Sequence, residues 1–217
     1  MARWEPNAIG RLQEAAMDLF RVHGYDNTTV AEIAASAGLT RRTFFRYFAD
    51  KREVLFFGAE KLEAFLAESV VASPASMPAM EAVTAALYAV ARASDERPGF
   101  ADFARQRQGL IQTYAELRER ELIKLASLGS AMAEALQRRG VAEPAASFTA
   151  EVGIAVFKTA FERWVRDPKQ RKWGHHMREV LGMLAGVAGD RGAVGAHAAD
   201  AKASPTATRR RGEGRRQ

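Results

Sequence analysis

Arg41, Arg42, Arg46, Lys51 and Arg52 crowd around a single carboxylate, Asp50, at the end of the stretch TTVAEIAASAGLTRRTFFRYFADK. Arg41 and Arg42 follow Thr40, a residue suited to cap a helix N-terminus, so both cations sit at the positive end of a helix dipole. That placement gains little stability by itself, and a polyanionic partner explains it. A guanidinium can donate a bidentate pair to guanine, and aromatics such as Phe45 and Tyr47 can pack on thymine methyls or reach phosphates. The chemistry is recognition of a nucleic acid.

The elements that must hold these side chains are two short helices and a tight turn. Thr29 can accept an orphan backbone N–H and Glu32 can reach back to it, closing a capping box, after which Val30, Ile33, Ala34 and Ala37 share one apolar face. Gly38 is free to take positive φ, and Leu39 supplies an apolar plug in the corner. Thr40 then caps a second helix in which Phe44, Tyr47 and Phe48 recur at helical spacing beside Arg41, Arg42, Thr43 and Arg46. Such a helix enters the major groove with its N-terminal residues against base edges. Asp50 is placed to cap the next helix, with Lys51 and Arg52 in its first turn and within reach of the DNA backbone. A solvated cationic loop is the plain alternative, but turn, caps and charges agree on the same answer.

The whole chain of 217 residues carries a formal charge of +6, and nearly half of it is apolar. It can therefore bury one sizeable core or two helical lobes that share a boundary. The basic balance favours a polyanion, although solubility alone tolerates it. With no cysteine, disulfides and thiolate metal sites are excluded. No apolar leader and no apolar run of membrane-spanning length is present, so the expected place is the cytoplasm, on the DNA, with no membrane partner.

Along the chain, Pro6 and Asn7 open a first helix with its stripe at Ile9, Leu12, Ala16, Leu19 and Phe20, ending at Gly24. After Asp50, Val54, Leu55, Phe57, Leu62, Phe65 and Leu66 predict one uninterrupted lever helix to about Val71. Further helices are expected from Pro78 to about Ser94, from Phe100, and from Tyr114 to Arg139 with Leu117, Leu122, Leu125, Leu128, Met132 and Leu136 buried. Pro144 starts another, apolar over much of its circumference, through Phe148, Phe157, Phe161 and Trp164. Asp167 and Pro168 are read as the cap and first turn of a last helix. Small residues in these two helices, Gly153 and Gly182 among them, suit close approach, so the pair is expected to form half of a four-helix dimer interface. From residue 189 the composition turns to Gly, Ala, Ser, Pro and Arg, which predicts a disordered basic tail. Its arginines either touch phosphates nonspecifically or only solubilise the chain.

The stretch from Thr28 to Lys51, with the helix before it, resembles the DNA-binding domain of the TetR family of one-component bacterial repressors. Thr28, Thr29, Val30, Ile33, Ala34, Ala37, Gly38, Leu39, Thr40, Thr43, Phe44, Phe45, Tyr47, Phe48 and Lys51 occupy every position of its signature. The resemblance implies base-reading contacts from Arg41, Arg42, Thr43 and Phe45 and phosphate contacts from Thr28, Thr29, Tyr47 and Lys51. It also implies an all-α fold: a three-helix helix-turn-helix domain over residues 1–50 and a helical ligand-binding and dimerisation domain over 51–188, followed by the tail over 189–217. The run from Phe103 to Leu136, with FERWVRDP after it, further resembles the subgroup that binds acyl-CoA-like ligands. Phe65, Phe100, Phe103, Leu110, Tyr114, Phe148, Phe157, Phe161 and Trp164 can line an apolar cavity, with Arg105 or Arg107 near an anionic end. The same aromatics at helical spacing also suit an ordinary core. The expected activity is a ligand-responsive repressor that binds palindromic operators as a homodimer and is released by a small amphipathic effector.

Other classes fit less well. No nucleophile elbow, Walker loop or dinucleotide fingerprint occurs, so no catalytic residue is assigned. Adjacent His175 and His176 point to different sides of a helix, so they make a poor chelating pair and are expected at the surface or in caps. Neither metal nor cofactor is expected. An architectural protein that coats DNA without sequence choice is the remaining rival, distinguished by salt-dependent binding equal on all sequences.

Overall fold

The computed structural model describes residues 7–189. Among these the chain is all-helical, with ten helices and no strand: α1 (Ala8–His23), α2 (Val30–Ser36), α3 (Arg41–Tyr47), α4 (Glu53–Phe56), α5 (Ala59–Ala72), α6 (Ala79–Asp95), α7 (Phe100–Thr113), α8 (Ala115–Arg138), α9 (Glu143–Val165) and α10 (Trp173–Gly189). The described residues 7–180 form one compact unit. The second, residues 181–217, is described only for the end of α10.

The head is built by its local signals. Thr29 Oγ1 accepts from the Glu32 N–H at 3.2 Å while the Glu32 carboxylate accepts from the Thr29 N–H at 2.8 Å, closing the capping box. At the other end of α2, Leu39 N–H reaches Ala34 O and Gly38 N–H reaches Ala35 O, the Schellman arrangement, with Gly38 at φ 64°. Arg11 donates to Ala37 O beside that turn, where a side chain on Gly38 would collide with its guanidinium. Leu12, Phe20, Tyr25, Ile33, Phe44 and Phe48 make a buried cluster that extends through Val54, Leu55 and Phe56 to Ile111 on α7 and Leu117 on α8.

Behind the head, α5, α6, α8 and α9 pack along one another, and α7 joins α8 and α9. Gly153 on α9 faces α6, where an added Cβ would come within 2.6 Å of Val83 Cγ1. That glycine therefore serves packing within the subunit rather than between subunits.

Several expectations are corrected. The lever is interrupted: α4 stops at Phe56, Phe57 turns to ψ 129° and Gly58 takes φ 90° before α5 begins. Phe57 is consequently exposed and Phe56 buried. Leu122 stands 62% exposed, off the buried stripe of α8. Asp167 does not open the last helix. Its carboxylate ties the connecting turn, accepting from the N–H groups of Lys169 (3.0 Å) and Arg171 (3.1 Å) and from Arg171 Nε (2.7 Å). Arg171 foremost holds this carboxyl well below the usual range. α10 begins at Trp173, whose N–H donates to Asp95 of α6 at 2.9 Å. His176 is buried, not at the surface, with Nε2 3.1 Å from Asp167 Oδ2. The basic tail lies outside the described residues beyond Gly189.

Candidate nucleic-acid interface

The candidate recognition surface is the outer side of α3. Phe44 and Phe48 are buried in the head, their rings 5.3 Å apart, and fix the helix. Thr40 Oγ1 accepts from the Thr43 N–H at 3.1 Å and lies 3.0 Å from the Thr43 hydroxyl, so both threonines are engaged in ordering the first turn. Arg41 and Arg42 project into solvent from that turn, and among the described residues neither guanidinium has a hydrogen-bond or ion-pair partner. Phe45 is 50% exposed, and its ring is propped edge-on against Phe44 at 5.5 Å. Two unpaired guanidiniums and an exposed aromatic thus leave one short, rigidly anchored helix, an arrangement able to donate to base edges and pack on methyl groups.

The flanking residues are less free than their types imply. Arg46 donates to the Tyr47 hydroxyl at 2.6 Å and lies 4.7 Å from its ring centre. Thr28 is buried and donates to Gly24 O at 2.8 Å, which contradicts a hydroxyl held out to a phosphate. Lys51 is also corrected. Its ammonium donates to the carbonyls of Tyr25 (2.6 Å), Asp26 (3.2 Å) and Thr28 (3.0 Å) and lies over the Tyr25 ring at 4.3 Å. Such a cation organises the loop before α2 rather than waiting for a ligand. Thr29 stays exposed, though its hydroxyl serves the capping box. Asp50 accepts from the Glu53 N–H at 3.1 Å and so caps α4 as its position implies, although Lys51 and Arg52 precede the regular helix.

Tyr25 was legible only as a link residue, yet it is the pivot of this region. Its ring lies 5.0 Å from Phe20 and 5.2 Å from Tyr114, and its backbone N–H donates to the Tyr114 hydroxyl at 3.2 Å. Burial first, and then the neighbouring Glu116 carboxylate, pushes its phenol well above the usual range. An aromatic between two helices signals packing but not which distant ring it meets.

The residues expected around a ligand cavity do not converge on one. Phe103, Leu110 and Tyr114 pack against the head's core. Phe100, Phe157, Phe161 and Trp164 form a separate aromatic stack, completed by Trp173, with the Trp164 and Trp173 ring centres 5.3 Å apart. Phe65 is exposed and Phe148 is 71% exposed. Arg105 pairs with Asp102 at the surface. Arg107 is buried, donates to Leu55 O at 2.7 Å and pairs with Glu121, so it is not an open anion receptor. Two concavities, of about 340 and 390 Å³, are lined by none of these residues. One lies beside Arg163, Asp167 and His176, the other beside Ala64, Ala67 and Val71. Among the described residues no group of His, Asp and Glu is arranged to hold a metal ion, and no helix is long and apolar enough to cross a membrane.

Comparison with known proteins agrees with this geometry. The model of bacterial regulatory proteins of the tetR family matches residues 12–56, and that of the MftR C-terminal domain matches residues 77–188. The chain is 41% identical over 81 residues to the HTH-type transcriptional regulator TcmR of Streptomyces glaucescens, covering 37% of this chain and 35% of that protein. It is 42% identical over 43 residues to MftR of Mycobacterium tuberculosis, covering 20% and 22% respectively. The chain thus spans well under half the length of either curated relative. A solved structure of Thermus thermophilus FadR, a TetR-family repressor in complex with lauroyl-CoA, superposes with a TM-score of 0.51 at 26% identity, over 81% of this chain and 92% of that one. These relatives are regulators, not enzymes. With a helix-turn-helix head and a C-terminal region that both match, the chain belongs to the TetR family of bacterial transcriptional regulators.

Proposed function

We propose that the protein is a ligand-responsive repressor that binds a palindromic operator as a homodimer, with residues 1–50 as the reading head and 51–188 as the regulatory body. The observation that carries this reading is the first turn of α3, where Arg41 and Arg42 are exposed and unpaired beside half-exposed Phe45 on a helix anchored by buried Phe44. Arg41, Arg42, Thr43 and Phe45 read bases, while Thr29, Arg46 and Tyr47 face the backbone. A dimer reads two half-sites when its recognition helices stand about one duplex turn apart, roughly 34 Å, or a multiple of it. Large apolar side chains stand exposed on each of the last two helices, Phe148 on α9 and Met183 and Val187 on α10, which supports dimerisation through that pair. The cell's cytoplasm is the place such a protein works.

The effector is an amphipathic acyl thioester or a molecule like it. The support for this reading is that FadR of Thermus thermophilus is solved with lauroyl-CoA, and the packed stack of Phe100, Phe157, Phe161, Trp164 and Trp173 would have to open to receive an acyl chain. An effector lowers operator affinity only by its differential affinity for the two forms of the dimer. Titration with lauroyl-CoA, followed by tryptophan fluorescence and by release of a bound duplex, tests this. Quenching with release supports the reading, and neither effect at micromolar ligand removes lauroyl-CoA as effector.

A further inference from the structure

We propose that Phe56, packed against the guanidiniums of both Arg107 and Arg120, is a positioning residue for DNA reading, and that this side-chain grip helps to set the head on the body. Because α4 ends at Phe56 and the chain reverses its backbone angles at Phe57 and Gly58, no continuous helix runs from the head into α5. The orientation of the head is then set by side-chain contacts, the core it shares with Ile111 and Leu117 together with whatever grips α4 from outside. The grip consists of two arginines from two different helices. The Arg107 guanidinium of α7 lies 4.7 Å from the centre of the Phe56 ring, and that of Arg120 on α8 lies 4.8 Å from it. Both arginines also hold α4 by hydrogen bonds. Arg107 Nε donates to Leu55 O at 2.7 Å, and Arg120 donates from Nε and Nη2 to the two Glu53 oxygens at 2.8 and 3.0 Å, a bidentate fork.

Their own positions are fixed in turn. Glu121 accepts from Arg107 and, at 2.6 Å, from Lys124, while Glu53 pairs with Arg120 and also lies 3.6 Å from Arg52 Nε, so each arginine of the grip belongs to an ion cluster of its own. Glu53 lies at the start of α4, one turn after Asp50, whose carboxylate caps that helix and closes the segment following α3. The path from body to recognition helix is therefore Arg120 to Glu53 and Phe56, and from α4 through Asp50 to α3. A packed aromatic flanked by charge-assisted forks has few alternative arrangements, so a shift of α7 against α8 is passed to the head rather than absorbed.

The inference rests on the proposal that this head reads DNA, and the test separates the two. Wild-type protein first selects a duplex from random oligonucleotides. Affinity for that duplex and for random duplex is then compared for Glu53→Gln, Phe56→Leu, Arg120→Gln and the Glu53→Gln/Arg120→Gln double variant, at a temperature where melting curves show each one folded. Glu53→Gln removes a negative charge close behind the head, so a purely electrostatic effect would tighten binding. The grip predicts the reverse: affinity for the selected duplex falls about five- to tenfold while random-duplex affinity holds or rises. Phe56→Leu does the same without any change of charge, and the double variant loses less than the sum of its singles. If Glu53→Gln binds the selected duplex as tightly as wild type, or if both duplexes weaken in step with a falling folded fraction, the grip is only structural and the inference fails. If wild type selects nothing, the DNA-reading proposal itself fails.

Discussion

Lys51 Nζ sits 2.6 Å from the carbonyl oxygen of Tyr25, with the face of the same residue's ring 4.3 Å away. A lysine at the edge of the proposed reading head thus stabilises the loop leading into α2 from inside. Lys51→Met should cost about 1–2 kcal/mol, since it leaves half-buried carbonyls without their charged donor. The melting midpoint should fall by roughly 2–8 °C. A variant that melts like wild type and loses affinity equally for selected and random duplex would return Lys51 to a plain phosphate contact.

Arg42 has no such internal duty. Arg42→Ala should leave the melting midpoint unchanged and cost about 1–3 kcal/mol on the selected duplex, with preference relaxed at one base position. Competition binding with single-base variants of the duplex reads this out. Equal loss on selected and random sequence would make Arg42 a backbone contact.

Lys124 gives stability a signature at alkaline pH. Burial foremost, and then the neighbouring Arg107, lowers its amine to about 8 in the folded chain, against an ordinary value of 10.5. Between those values the unfolded chain holds the proton that the folded one has released, so the unfolded state binds more protons and stability rises with pH. Below about 8 both states are charged and this contribution is flat. Denaturant melts at stepped pH should show the rise for wild type, and Lys124→Met should abolish it.

Val187 stands 81% exposed on α10. If the last two helices pair with a second copy, Val187→Asp should give monomers in sedimentation and a loss of palindrome affinity, with the single-subunit fold intact by circular dichroism. A dimer that survives the substitution places the interface elsewhere.

What could be read from the sequence was whatever is decided within one or two turns. Thr29 with Glu32, Gly38 before Leu39, and Thr40 before Arg41 each declare a helix end through a local hydrogen bond, and all three formed as read. The break after Phe56 was invisible because Val54, Leu55 and Phe57 continue an acceptable helical stripe and a glycine inside it is tolerated. Only the distant Arg107 and Arg120 reveal why Phe56 is the buried ring. Arg107 misled for the same reason: its partners, Glu121 and the Leu55 carbonyl, lie 14 and 52 residues away, beyond any sequence pattern. Leu122 fits the helical spacing of the α8 stripe and Phe148 an apolar face of α9, yet both stand exposed, because spacing and type do not specify how far round a long helix the core reaches.

Selection from a pool of random duplexes with purified protein asks directly whether the first turn of α3 reads base sequence. The expected product is an enriched palindrome whose half-sites carry a guanine lost from the consensus when Arg42→Ala replaces wild type. An unenriched pool, bound with the same salt-dependent affinity before and after selection, would contradict that reading.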